Sequence, residues 1–189
     1  MGANDWPALP VFYATSEGQT ERIAQRLADR LRERGLASAA VDLANERTDG
    51  RAWNGVRAAA LCASIHYGKH QRVARRFGAA HRAELGRVPS LFVSVSLAIR
   101  SENEKERRAA EQQARSFAER TGWSPDHVAC VAGRLAYTRY GWLKRLLMKR
   151  IAKAEGGSTD TSRDHEYTDW SQVDSLADDL AERAAIPRS

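Results

Sequence analysis

Thr15-Ser16-Glu17-Gly18-Gln19-Thr20 separates an apolar run, Leu9 to Ala14, from a helical pattern that begins near Glu21. The run reads as a short buried strand, with Pro10 near its start, where a missing N–H matters least. Hydroxyl, hydroxyl, Gly and hydroxyl at a strand-to-helix turn can wrap a phosphate. The loop contains no lysine, so it is not the nucleotide-triphosphate loop G-x-x-x-x-G-K-[ST]. It suits one terminal phosphate held by neutral donors: Thr15, Ser16 and Thr20 through their hydroxyls, and the helix start through its unpaired N–H groups. Gly18 lets the backbone turn tightly. The same residues also serve an ordinary capped helix, so the loop alone leaves both readings open.

Outward from this loop, strands and helices alternate. Ile23, Leu27 and Leu31, flanked by Ala24 and Ala28, mark one buried helix stripe, and Gly35 is placed to end it. Ala39 to Leu43 reads as a weak second strand, and Ala58 to Ala63 as a third, buried on both faces. A helix over Gln71 to Arg82 follows. Ser90 to Ser96 is the clearest strand, a charged helix spans about Glu104 to Arg120, and Val128 to Ala132 is a fifth strand. Asp169 can cap the last helix, with Gln172 completing a capping box; Val173, Leu176, Ala177 and Leu180 would face the core.

This alternation predicts an α/β fold: a doubly wound, five-stranded parallel sheet in the order 2-1-3-4-5, with helices on both faces. Ligands bind beyond the carboxyl ends of such strands. The chain of 189 residues is expected to form one domain over 9–184, after an N-terminal tail at 1–8. Cys62 and Cys130 sit in apolar runs and read as buried thiols in a reducing compartment. Strands three and five lie about 9.6 Å apart in that order, beyond the reach of a disulfide.

Two more strand ends open at the same edge as the phosphate loop. Ser64-Ile65-His66-Tyr67-Gly68-Lys69 follows the third strand, and Ser96-Leu97-Ala98-Ile99-Arg100 the fourth. Ile65, Tyr67 and Leu97 can wall a flat ring. A phosphate, a polyol and a flat heterocycle describe flavin mononucleotide (FMN). His66 is the nearest acid–base candidate, although a ring contact is its simpler role.

The net charge of +6 favours anionic partners. No run of about 18 apolar residues could span a bilayer, and Met1 to Pro7 has no signal-peptide pattern. No RNP or helix-turn-helix signature marks a nucleic-acid binder, and no residues show metal-ligand spacing. Late in the chain, Trp142 to Lys153 is an amphipathic basic helix. Leu143, Leu146, Leu147 and Ile151 are bordered by Lys144, Arg145, Lys149, Arg150 and Lys153. It can lie in an anionic membrane surface or pack on the domain or on a second copy in a homo-oligomer.

At this point the sequence resembles the flavodoxin-like, menaquinone-dependent protoporphyrinogen IX oxidase family of bacteria. The resemblance runs from about Leu9 to Leu180. It is carried by T-S-E-G-Q-T (15–20), A-S-I-H-Y-G (63–68), P-S-L-F-V-S-V-S-L-A (89–98), W-S-P-D (123–126), A-G-R-L-A-Y-T-R-Y (132–140), G-G-S-T-D-T (156–161) and Y-T-D-W (167–170). The 137–168 stretch is family-specific. The chain departs from the family at 99–115, where the family's insertion is basic and this segment is mixed in charge.

The resemblance implies a flavin phosphate on Thr15, Ser16, Glu17, Gly18, Gln19 and Thr20, and ring contacts on Ser64, Ile65, His66, Tyr67, Gly68, Ser96, Leu97 and Ala98. It implies oxidation of protoporphyrinogen IX in haem synthesis, with electrons passing to a membrane quinone. The location would be cytoplasmic, with peripheral attachment to the inner membrane as one form of it. Lys69 and Arg100 could meet an anionic substrate, and Lys144, Arg145 and Lys149 the substrate or the membrane. A flavodoxin-type electron carrier serving a protein partner, or a flavin-free basic binding module, are the rival readings.

Charge bears on the direction of electron flow. Lys69, His70, Arg72 and Arg100 lie in or near the ring loops. One cation about 8 Å away contributes roughly 2 kcal/mol to an anionic reduced flavin at an effective dielectric of 20. That is about 45 mV over two electrons, in the direction that favours accepting electrons.

Overall fold

The computed structural model describes residues 6–45, 52–66, 68–135 and 165–186. Five parallel strands form the sheet: β1 (Leu9–Ala14), β2 (Ser38–Asp42), β3 (Ala59–His66), β5 (Ser90–Val95) and β6 (His127–Val131). Their spatial order is β2-β1-β3-β5-β6, the predicted order once the two-residue strand β4 (Lys69–His70) is set aside. Register aligns Ala14 with Ala63, Ser64 with Val95, and Val95 with Val131. The carboxyl ends of β1, β3, β5 and β6 therefore reach one edge at nearly one level.

Strand alternation sends side chains to two separate cores. Leu9, Val11, Tyr13, Ala60, Cys62, Leu91 and Val93 join Ile23 and Leu27 of α1 (Gln19–Glu33) and Val173 and Leu180 of α5 (Trp170–Ala185). Phe12, Leu61 and Phe92 point to the other face. There they meet Phe77 of α2 (Arg72–Ala80), Leu85 of α3 (Arg82–Arg87) and Phe117 of α4 (Glu104–Thr121). Burying both faces explains why the central strands read as continuous apolar runs. Each fully buried Leu or Phe contributes about 1.5–3 kcal/mol.

Several local expectations need correction. The helix expected over Gln71 to Arg82 is α2, which ends at Ala80, and a second helix that the sequence did not mark, α3, follows it. The chain leaves α2 at His81 (φ −109°, ψ 23°), whose ring packs on Phe77 with centroids 4.6 Å apart. α2 approaches α4 closely at Gly78, where a Cβ would stand 3.2 Å from Phe117 Cε1. Asp169 does cap α5, with Oδ1 accepting from the N–H groups of Ser171 and Gln172. The capping box is not closed, because the Gln172 amide donates to the Cys130 carbonyl.

Cys62 is buried, but Cys130 is only half-buried, on an edge strand. Packing also begins before Leu9: Trp6 is buried, edge-on to Phe12 at 5.0 Å. The 99–115 stretch holds the end of a 3-10 turn (Leu97–Arg100) and most of α4. Its mixed charges lock the junction. Ser101 Oγ donates to Glu106 at 2.7 Å and accepts from Asn103 N–H, and Arg107 donates to the Ser101 carbonyl.

α1 and α5 lie side by side and are joined by ion pairs. Arg26 forms a bidentate pair with Asp174, both bonds 2.6 Å. Arg30 does the same with Asp178 at 2.9 and 3.0 Å. These guanidinium hydrogen bonds hold the Asp174 and Asp178 carboxyls below the ordinary carboxylate range.

Candidate functional site

The turn after β1 is built around Gly18, whose φ of 88° is left-handed and favours glycine. Gly18 N–H donates to Thr15 Oγ1 at 2.9 Å, which closes the turn. No side chain caps α1, whereas Asn103 caps α4 and Asp169 caps α5. The first-turn N–H groups of α1 thus meet no side-chain acceptor, and an anion there would find orphan donors and the positive end of the helix dipole. Ser16 is exposed, and Thr20 is buried. The backbone of this turn fits a terminal phosphate.

Gln19 is placed differently from the expectation. Its buried amide turns away from the loop mouth and donates to Thr168 Oγ1 at 2.8 Å and to Glu166 at 3.3 Å. Arg22 closes this network, donating to Gln19 Oε1 at 3.1 Å and to Glu166 at 2.7 Å. Glu166 belongs to β8 (His165–Glu166), which pairs antiparallel with β7 (Arg134–Leu135). Gln19 can therefore offer a phosphate its backbone N–H, while its side chain anchors the late ribbon.

The segment after Ser64 is not a plain loop. β3 continues to His66 and turns back antiparallel through β4, pairing Ile65 with His70 and His66 with Lys69. Gly68 sits in the turn with φ 70°. Ser64 and Ile65 are half-buried, and His66, Gly68 and Lys69 are exposed. After β5, Ser96 Oγ accepts from Ala98 N–H at 3.2 Å and starts the 3-10 turn that holds Leu97 and Ala98 half-buried. Arg100 is exposed at its end; the Asp169 carboxyl is held low chiefly by the hydrogen bonds from Ser171 and Gln172, with a smaller contribution from the Arg100 charge. Tyr67 lies outside the described residues, as do Lys144, Arg145, Lys149 and all of the 142–153 segment that was expected to be helical.

One expected cation drops out. His70 is 3% exposed, with Nε2 2.9 Å from Ser94 Oγ and its ring edge-on to the stacked Phe92 and Phe117 rings, 5.2 Å from each. Burial first, and then Arg120 and Arg75, push its pKa down to about 4. At neutral pH it is uncharged and adds nothing to the field at the ring segments.

Two residues outside the predicted set join the site. Gln71, just before α2, donates through Nε2 to Ser16 Oγ at 3.2 Å and to Ser64 Oγ, tying the phosphate turn to the β3–β4 hairpin. Its polar side chain directly after the hairpin was the available signal. Arg134 reaches the Glu17 carbonyl with Nη2 at 3.5 Å. Its place in the A-G-R-L stretch marked it, but a contact across 117 residues has no local signature.

The turn, the hairpin and the 3-10 turn thus share one sheet edge, in the arrangement of a flavodoxin. The chain belongs to the flavodoxin domain family, whose pattern matches residues 10–162. It is also a member of the protoporphyrinogen IX dehydrogenase (quinone) family. It is 37% identical over 172 residues to the protein of that name from Escherichia coli, covering 90% of this chain and 93% of that one. With the Leishmania major protein of the same name it shares 33% over 185 residues, 95% of this chain and 77% of that one. Among solved structures, oxidised flavodoxin 1 from Bacillus cereus matches with a TM-score of 0.53 at 11% identity, over 92% of this chain and 97% of that one. That likeness speaks for the fold alone.

Proposed function

We propose that this chain is an FMN-dependent protoporphyrinogen IX dehydrogenase that passes electrons to a quinone. The observation that carries this reading is the 37% identity to the Escherichia coli enzyme across nearly the full length of both chains. The geometry supports it independently. The Gly18 turn and the uncapped start of α1 suit a terminal phosphate, which favours FMN over a flavin without one. Ser64 to Gly68 and Ser96 to Ala98 flank the space beyond the same edge, where a flat ring system would lie.

When bound, the flavin supplies the two-electron chemistry. The chain's own residues position it. Thr15 shapes the phosphate turn through Gly18 N–H, and Gln71 keeps Ser16 and Ser64 at a fixed separation. Exposed Lys69, Arg72 and Arg100 present positive charge at the ring side of the edge, where they can pair with carboxylates of an anionic porphyrinogen. Their charge also favours electron uptake from substrate.

The basic sequence at 142–153 suits an anionic membrane surface, where a quinone is found. Among the described residues no helix is long and apolar enough to cross a membrane. Charge reversal at Lys144, Arg145 and Lys149 is expected to abolish co-sedimentation with anionic liposomes.

The deciding experiment is anaerobic. The purified yellow protein, with its flavin identified as FMN after release, should be bleached by protoporphyrinogen IX and recoloured by a quinone. Bleaching only by a reduced protein partner would identify an electron carrier instead.

A further inference from the structure

Gln71 stands at the start of α2, but its side chain does not cap that helix. It turns across the sheet edge instead, where Nε2 donates to Ser16 Oγ at 3.2 Å and to Ser64 Oγ. The base of the side chain is fixed on both sides. The Gln71 carbonyl accepts from Arg75 N–H at 3.2 Å in the first turn of α2. The preceding His70 is buried, with Nε2 2.9 Å from Ser94 Oγ. A single anchored nitrogen thus reaches a serine of the phosphate turn and a serine of β3.

The direction of these bonds decides what the two serines can offer. A hydroxyl has one proton to donate and two lone pairs. Ser16 and Ser64 each spend a lone pair on Gln71, and among the described residues neither gives its proton to an acceptor. A hydroxyl that already accepts an N–H is also polarised to donate more strongly. Gln71 Oε1 is buried and meets no donor among the described residues. The reverse amide orientation would draw both serine protons onto that oxygen and leave none for a ligand. Ser16 is exposed and Ser64 half-buried at the same open edge. Two neighbouring O–H donors there suit a ligand rich in acceptors, such as a phosphate and the polyol chain it is joined to.

We propose that Gln71 is a positioning residue of the cofactor site: by donating to Ser16 and Ser64 it keeps both hydroxyls as donors for the phosphate end of FMN. This rests on the flavin reading above.

The test uses the full-length chain freed of flavin and titrated with FMN by flavin fluorescence. In Gln71→Ala the hydroxyls lose their orienting partner but can still rotate toward the ligand, so affinity should fall about two- to tenfold. Gln71→Glu keeps the length of the side chain but offers only acceptors, which take both serine protons. Its affinity should fall by more than about tenfold. The decisive comparison repeats Gln71→Glu in a chain that already carries Ser16→Ala and Ser64→Ala. With no hydroxyl left to reorient, the penalty for Glu should shrink by about threefold or more. A penalty of undiminished size would mean that the added charge alone repels the phosphate. Wild-type affinity in Gln71→Ala or Gln71→Glu would mean that the bridge only braces the edge. Either result overturns the proposal. A wild-type chain that does not bind FMN would overturn the flavin reading itself.

Discussion

Gly18 and His70 show how single residues shape this edge. The φ of 88° at Gly18 places the turn's N–H groups, and a side chain in left-handed backbone costs about 1–2 kcal/mol. Gly18→Ala is therefore expected to lower the denaturation midpoint slightly and FMN affinity strongly, read by urea melts and fluorescence titration. His70 is neutral in the fold because its ring is buried against the stacked Phe92 and Phe117 rings, with its pKa pushed down to about 4. Between pH 6.5 and about 4 the unfolded chain takes up a proton that the folded chain refuses. Stability therefore falls across that window as pH is lowered, by up to about 3 kcal/mol. A His70→Gln variant should show a flatter slope of unfolding free energy against pH there, whatever its absolute stability. The sequence marked Gly18 by its setting between strand and helix. It placed His70 among the loop cations, because a histidine next to Lys69 gives no sign that the strand turns back and buries it.

At the level of elements, α1 and α5 are held together twice, by an apolar stripe and by paired charges above it. Ile23, Leu27, Val173 and Leu180 were legible from helical periodicity. The pairing of Arg26 with Asp174 and Arg30 with Asp178 was not, since each spans 148 residues. Both carboxyls sit below their usual 3.8 in the fold, chiefly through their arginine hydrogen bonds. Their contribution is complete above that value and is lost as pH falls through and below it. The double variant Asp174→Asn, Asp178→Asn should lose stability at pH 7 and show less acid sensitivity below about pH 4 than the wild type, with a difference that shrinks at high salt. In the same way, the 64–68 stretch was expected to line the ring side of the site, but its form was not legible. The antiparallel return through β4 depends on backbone pairing that no residue-type pattern announces.

The whole molecule joins a basic edge to a fold whose cofactor chemistry depends on local charge. With His70 neutral, exposed Lys69, Arg72 and Arg100 remain as the cations beside the ring segments. The flavin midpoint potential is expected above that of acidic flavodoxins. Lys69→Glu combined with Arg72→Glu should lower it by tens of millivolts, on the scale of about 45 mV per charge before screening. Spectroelectrochemical titration reads this directly, and an unchanged potential would remove charge as the cause.

The alternation of apolar runs and helical stripes determined the sheet order and the edge at which the site opens, because burial of both sheet faces is written in local periodicity. Thr15 to Thr20 likewise read as a candidate anion site, because turn chemistry is local. Only the tertiary structure decided which long side chains stand around that turn. Gln19 faces the β7–β8 ribbon, Gln71 ties two strand ends, and Arg134 arrives from 117 residues away. Such contacts depend on how distant segments cross the sheet edge, and polar side chains with many rotamers carry no periodic signal of where they end.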